Sequence, residues 1–415
     1  MSERPELIAA TGANGRARPP AHPDMGGQTA ATHCTYSERN DPVHHARLWQ
    51  TVLWNGPRWD PAHTTGPHSP ITNIHAPSYD PEQLQRALRS PHCATIVGIL
   101  QQFRHADTKQ LMCWLQTDLT NSTKYLGPLY HAGIVERGHY GRGISAGSNP
   151  YVYSLHDSKP VRQFLNQLTD DTAQRVLGTT DRKPNFSSRH IRHNVAVTET
   201  TLRTLEMGDT ITTVDGERNA TTRNLFPNDN HEQFDSNIAA DAIWYRYDGL
   251  RIAIELVMTL DRQHIAAKMA RWASAHADTD QRSNLVVVWI NATADDHDKT
   301  AAVLRRIHTD TFQYGTVRHH NNVLADPDTI TRARTRTVLA SWYDWYPKPH
   351  TVSYAGRDLT IVGTSDGTSW HAAHLAHPAS YPLPDRSRHP TPTHQLTPTF
   401  AALPPIFSPA TPHTA

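Results

Sequence analysis

Residues 238–272 read IAADAIWYRYDGLRIAIELVMTLDRQHIAAKMARW, and the register of the hairpin inside this stretch decides the fold and the site around it. From Arg251 onward the residues alternate with the period of a strand. Ile252, Ile254, Leu256, Met258 and Leu260 share one face; Arg251, Ala253, Glu255, Val257 and Thr259 share the other. The preceding apolar run begins beside Asp241, and Asp248-Gly249 marks the turn between the two. A two-residue turn centred there pairs Asp241 with Leu256 and sends the two acids to opposite faces. A three-residue loop, commonly a type I turn with a glycine bulge, shifts the pairing by one and places both acids on one face. Gly249 suits the left-handed position of such a bulge, but the sequence leaves both registers open.

Two carboxylates on adjacent strands call for a divalent cation, because like charges resist sharing a half-buried site. Asp241 and Glu255 are therefore candidate metal ligands, and a bound Mg²⁺ would supply hydroxide for phosphodiester cleavage. The helix expected from Asp261 carries two stripes. Ile265, Met269 and Trp272 face the core, whereas His264, Lys268 and Arg271 align on another side. Lys268 joins Asp241 and Glu255 as a candidate catalytic residue. Each has an ordinary alternative: a strand-end Asp satisfied by a backbone donor, a Glu exposed on an open sheet face, a solvated cationic stripe.

Around the hairpin, residues 187–307 alternate elements in the order α-β-β-β-α-β. HIRHNVAVTETTLRTLE places Ile191, Val195, Thr198, Leu202 and Leu205 on one helical stripe, TITTV is a strand, and NLVVVWINA is a continuous apolar run typical of a buried strand. One mixed sheet flanked by helices is the expected arrangement.

Residues 81–168 have a different pattern. CATIVGILQQF, DTKQLMCWLQT with Asp107 as N-cap, and NSTKYLGPLYHAG ending at Gly133 give three helices. IVERG and PYVYSLH follow as strands on either side of a Gly-rich loop. Three helices and a two-stranded wing are the order of a winged helix-turn-helix, in which the third helix enters the major groove and the wing tracks the backbone. Asn121, Ser122, Lys124 and Tyr125 open that helix, while Arg137, His139 and Arg142 lie on the wing, suited to phosphate. Winged helices also serve as protein-binding modules. Pro128 removes a backbone donor inside the third helix and predicts a bend or an early end there.

The chain of 415 residues has room for two or three domains, and its net charge of +1 excludes a protein that coats nucleic acid by bulk charge. Cys34, Cys93 and Cys113 form no zinc spacing, and with no leader pattern at the start a reducing cytoplasm is expected. No apolar run spans a bilayer, so no membrane partner is expected. Residues 1–80 are expected to be a mostly disordered arm, with HHARLWQTVLWNGPRW packing on another part. Residues 308–374 form an extension without an assigned role, and 375–415 a disordered tail rich in Pro, His and Thr.

HNVAVTETTLRTL (His193–Leu205) and ADAIWYRYDGLRIAIELVMTLDRQHIAAKMARW, behind a winged helix, resemble the replication-relaxation family over about residues 91–292. These are bacterial proteins associated with replication and relaxation of plasmid DNA, mostly encoded on mobile elements. The resemblance implies an α+β or α/β chain: an N-terminal winged helix-turn-helix, then a block similar to the PD-(D/E)xK nuclease fold. In that pattern Asp241 matches the metal-binding Asp, preceded by Ala240 instead of Pro, and Glu255 matches the Glu. Val257 stands where the pattern has its lysine, and Lys268 is the displaced substitute. Glu217 and Glu199 are the nearest matches to a further acid. The resemblance implies a DNA-binding protein of a plasmid or integrative element, acting on double-stranded DNA through a degenerate nuclease-like block. Replication or transfer proteins of the same element are its implied partners. No cofactor is required for DNA binding; Mg²⁺ is required if the site cleaves. The alternatives are an active Mg²⁺-dependent endonuclease or nickase, and a transcriptional regulator whose second block binds a ligand or protein.

Overall fold

The computed structural model describes residues 52–55, 78–115, 117–140, 151–156, 158–167, 188–207, 211–217, 220–225, 238–277, 284–293, 297–313, 315–318, 323–342, 360–364, 370–375, 378 and 381. The expectations for residues 1–51, 56–77 and 382–415, and for Arg142, lie outside them.

The chain is a mixture of helices and two sheets. In the first part, α1 (Pro81–Leu88), α2 (Pro91–Phe103), β2 (Ala106–Asp107), α3 (Thr108–Trp114), α4 (Ser122–His131), β3 (Val135–Tyr140), β4 (Tyr151–Leu155) and α5 (Lys159–Gln167) follow β1 (Val52–Asn55). The expected helices appear with their signals. Asp107 caps α3 through a reciprocal capping box with Gln110, which satisfies donors that a helix start otherwise leaves open. α1 was not anticipated, although Asp80 accepts from the N–H groups of Glu82 and Gln83 and Pro81 sits at its first position. α4 continues through Pro128 to His131, so the proline does not end the helix early. The small sheet has the order β1-β3-β4-β2. β1 lies antiparallel to β3, Val52 opposite Tyr140 and Asn55 opposite Arg137. The apolar stretch of the N-terminal arm thus adds a strand to the expected hairpin and covers an edge that would otherwise be open.

The second sheet has seven strands in the order β11-β10-β9-β8-β7-β6-β5. Its elements are α6 (Ser188–Met207), β5 (Ile211–Gly216), α7 (Thr222–Leu225), β6 (Ala242–Arg246), β7 (Arg251–Val257), α8 (Arg262–Ala277) and β8 (Leu285–Asn291). These are followed by α9 (His297–Gln313), α10 (Pro327–Thr335), β9 (Thr337–Ser341), β10 (Thr360–Thr364) and β11 (Trp370–His374). β7-β8 and β8-β9 are parallel, and helical crossovers connect them, as parallel pairing requires. The remaining neighbours are antiparallel.

Both faces are covered. Ile252, Ile254 and Leu256 join one core with Leu202 of α6 and with Leu100, Phe103 and Leu111 of the first part. Ala253 and Val257 join another with Ile265, Met269 and Trp272 of α8 and Leu304 and Ile307 of α9. Two boundary expectations change. The division at 307 falls within α9, and residues 308–374, expected as an extension without an assigned role, supply three strands of the main sheet. The expected loose tail from 375 begins with Leu375, which is fully buried in the larger core, and Tyr381 packs against that core. The reason is Arg246: its buried guanidinium donates to the carbonyls of Leu375 and Tyr381 while pairing with both Asp248 oxygens. A buried charge needs this many partners.

Candidate functional site

The hairpin takes the three-residue loop. Ala242 lies opposite Ile254 and Tyr245 opposite Arg251, and the Gly249 N–H donates to the Arg246 carbonyl at 2.8 Å. Gly249 has φ of +96°, the left-handed position a bulged turn uses. Continued past Ala242, this register brings Asp241 level with Glu255. Asp241 itself leaves the regular ladder. Its N–H donates to the Ile254 carbonyl at 2.8 Å, and its Oδ2 accepts the Leu256 N–H at 2.7 Å.

Glu255 is not exposed on an open sheet face, as one expectation had it; 3 % of its surface is accessible. α8 covers that face. It starts at Asp261, whose carboxylate accepts the His264 N–H at 3.0 Å, and its turns bring Lys268 and Trp272 over the strand. Lys268 Nζ donates to Glu255 Oε2 at 2.5 Å, and Trp272 Nε1 to Oε1 at 2.6 Å. Trp272 therefore does more than fill the core. From α6, His193 Nε2 reaches Asp241 Oδ1 at 3.1 Å. No spacing rule pointed to His193, one histidine among 28.

The electrostatics follow from this pairing. Burial pushes the Glu255 carboxyl up to about 7, with Lys268 pulling the other way and the neighbouring Asp241 charge adding to the rise. Burial also opposes ionisation of Asp241, but the charges of His193 and Lys268 outweigh it and hold its carboxyl well below the usual range. For His193 and Lys268, burial disfavours the cation and the facing carboxylates more than compensate, so both are raised. Glu217 adds to both rises; it sits at the end of β5 in an ion pair with Arg104 at 2.8 Å. Glu199 faces elsewhere and accepts from Gln110 Nε2 at 3.0 Å. Of the two further acids, Glu217 belongs to the site's surroundings. Val257 is buried against α8 and offers no polar group.

This donor set does not fit a divalent cation as it stands. All four carboxylate oxygens have protein donors: His193, the Leu256 N–H, Trp272 and Lys268. Among the described residues no three His, Cys, Asp or Glu side chains lie together as a metal cage. Mg²⁺ demands near-octahedral oxygen ligation, and here each carboxylate already faces a basic side chain, Asp241 meeting His193 and Glu255 meeting Lys268.

The expected DNA-facing residues are spread over α4 and the β3–β4 hairpin. Lys124 is exposed, with its ammonium 5.2 Å from the Tyr125 ring. Tyr125 is turned back onto α2, stacked on His92 at 4.6 Å. Asn121 Nδ2 donates to Thr117 Oγ1 at 2.8 Å, which ties the start of α4 to the preceding turn, and Ser122 is half-buried. The Arg137 guanidinium lies against the rings of both Tyr130 and Tyr151. His139 is within β3, opposite Tyr151.

The two parts are held together by α6. Asn194 bonds His105 at 2.8 Å, Thr198 donates to the His105 carbonyl at 3.0 Å, and Gln110 donates to the Val195 carbonyl at 3.0 Å. One stretch of α6 therefore carries both His193 and the contacts to the N-terminal part. No described helix is long and apolar enough to cross a membrane. The sequence model of the replication-relaxation family matches residues 97–287, which takes in α2 through the start of β8. No curated protein and no solved structure matches the chain.

Proposed function

With residues 97–287 matching the replication-relaxation family, we propose that this chain is a DNA-binding protein of a plasmid or integrative element, acting in replication or relaxation of that element's DNA. The observation that carries the reading is the N-terminal topology. α2, β2, α3 and α4 precede a β3–β4 hairpin, and β2 pairs with β4 to give the order β3-β4-β2, the arrangement of a winged helix. α4 is then the helix for the major groove, with Lys124 at its exposed start, and the hairpin is the wing. Double-stranded DNA is the partner, and phosphate contacts from Lys124, Arg137 and Arg142 supply its affinity. The second part is a PD-(D/E)xK-like frame whose two acids are bonded to His193 and Lys268, and it serves as a platform for the winged helix.

A second reading, an active Mg²⁺-dependent endonuclease or nickase, is favoured by one observation: Asp241, Glu255 and Lys268 converge although they arise from three elements. One assay separates the two. Purified protein is incubated with supercoiled plasmid, with and without Mg²⁺, alongside Asp241→Ala and Glu255→Ala. The platform reading expects salt-sensitive DNA binding that survives both substitutions, no nicking, and loss of binding when Lys124 and Arg142 are replaced together. Mg²⁺-dependent nicking abolished by either carboxylate change would establish the nuclease instead. Failure to bind any DNA at low salt would leave a regulator whose second part binds a ligand or protein.

A further inference from the structure

Arg137 is a half-buried cation with no acidic partner among the described residues. It projects from β3, opposite Tyr153 of β4, into the angle between α4 and the hairpin. Its guanidinium carbon lies 4.3 Å from the centre of the Tyr130 ring, on α4. It is also 5.0 Å from the centre of the Tyr151 ring, at the start of β4. Among the described residues it makes no ion pair, and its Nε is buried with no hydrogen-bond partner. Two other buried or half-buried guanidiniums do have acids: Arg246 pairs with Asp248 on the large sheet's hairpin, and Arg104 with Glu217 at the end of α2. The nearest acid in sequence, Glu136, points to the opposite face and meets His156 at 3.4 Å.

A half-buried cation without a counter-ion is costly unless an anion completes it. Ring contacts offset part of that cost, and they also fix the orientation. With two aromatic rings against it, the planar guanidinium has fewer orientations open to it, and its N–H donors lie along its edge. That fork matches two oxygens of a phosphate. The backbone around it is also tied down: the Tyr151 N–H donates to Thr108 Oγ1 at 3.1 Å, and that hydroxyl donates back to the Tyr151 carbonyl at 3.2 Å. Thr108 opens α3, so both walls of the clamp belong to the helix–wing unit and not to the mobile end of a side chain.

We infer that Tyr130, Arg137 and Tyr151 form a preorganised clamp for one phosphodiester of a nucleic-acid backbone, at the junction of α4 and the wing. The assignment rests on the DNA-binding reading and goes further: it names a single anion subsite, gives the two tyrosines a positioning role, and makes the contact independent of base sequence.

The test is fluorescence anisotropy of the full chain with a labelled mixed-sequence duplex, titrated between about 50 mM and about 200 mM salt. Arg137→Gln is expected to weaken binding on the order of tenfold and to lower the slope of log affinity against log salt by about 0.9, the signature of one lost phosphate contact. Arg137→Lys keeps the charge, and so keeps the slope, while losing affinity because an ammonium has no planar fork. Tyr151→Leu likewise retains the slope and weakens binding several-fold. Tyr151 is 38 % exposed, so this change leaves the core intact, and unchanged thermal unfolding of each variant verifies it. If wild type binds and Arg137→Gln binds equally with the same slope, the clamp is wrong while the DNA-binding reading stands. If Arg137→Gln behaves as expected but Tyr151→Leu equals wild type, the positioning role falls. If wild type binds no duplex at all, both fall together.

Discussion

Glu255 shows how far a single residue's role depends on what covers it. The same strand position, left open to solvent, would hold an ordinary carboxylate; under α8 it holds one pushed up to about 7 and satisfied by Lys268 and Trp272. His308 on α9 shows the complementary effect for a base. It is 1 % exposed, donates from Nε2 to the Thr337 carbonyl at 2.8 Å, and packs between Phe312 and Trp370. Burial lowers it from 6.5 to about 4, against the pull of the Thr337 and Arg334 carbonyls. The folded state therefore binds fewer protons than the unfolded state between those two values, so stability rises with pH there. The contribution is complete above pH 6.5 and is lost as pH falls toward 4, at a limit of about 1.4 kcal/mol per unit. Urea unfolding between those pH values should show this slope, and His308→Leu should flatten it; an unchanged slope in the variant would assign the dependence to other groups.

At the scale of elements, two glycines make opposite demands. Gly249 sits at φ +96° with open space around it, since a Cβ there meets nothing nearer than Asn284 Nδ2 at 3.9 Å. Its substitution by Ala costs only the backbone strain, about 1 kcal/mol. Gly216, at the end of β5, is a packing position. A Cβ there would come within 2.7 Å of the Gln102 backbone, where the Gly216 N–H also donates to Gln102 Oε1 at 3.0 Å. Gly216→Ala must push α2 away from the sheet, and is expected to cost about 3 kcal/mol, at the upper end for overpacking. Chemical denaturation of the two variants checks the order. Gly249→Ala should also leave Asp241 level with Glu255, because the turn length is unchanged. The α2–β5 contact is how the N-terminal part is seated on the sheet, and Arg104, which ends α2 at φ +67°, reaches Glu217 from the same corner.

Across the whole molecule, the boundary between the N-terminal part with its small sheet and the part built on the large sheet is a boundary of topology and not of packing. Leu84 and Phe103 from the first part, Leu202 from α6, Ile254 and Val288 from the large sheet and Leu375 near its end belong to one continuous core. Polar contacts from Gln102, Arg104, His105 and Gln110 cross the same boundary. Parts joined this way unfold together. Calorimetry of the full chain should therefore show one cooperative transition for the folded core; two resolved transitions, with the N-terminal part melting first, would contradict the shared core. A rigid joint also suits the proposed platform, because the sheet then fixes the angle at which α4 is presented.

Much of the fold was legible in short-range pattern. The alternation along β7, the stripes of α6 and α8, the Asp107 cap and the Gly249 turn each depend on neighbours a few residues apart, and local chemistry is sufficient to specify them. The two acids and Lys268 could be picked out on that basis. Which hairpin register wins could not: both registers satisfy the alternation along β7, and only the packed sheet, with Ala242 and Trp244 of β6 in the same core as Ile254 and Leu256 and with Ile243 and Tyr245 in the core of Ala253 and Val257, selects one. The partners of the acids were equally out of reach. His193, Trp272 and Arg104 acquire their roles from helices that meet the strands after long excursions of the chain, and nothing in their local sequence distinguishes them from other histidines, tryptophans and arginines. The sequence alone therefore determined the elements and the acids on them; tertiary packing determined which charges those acids face, because burial and pairing are properties of what surrounds a side chain and not of its own neighbours.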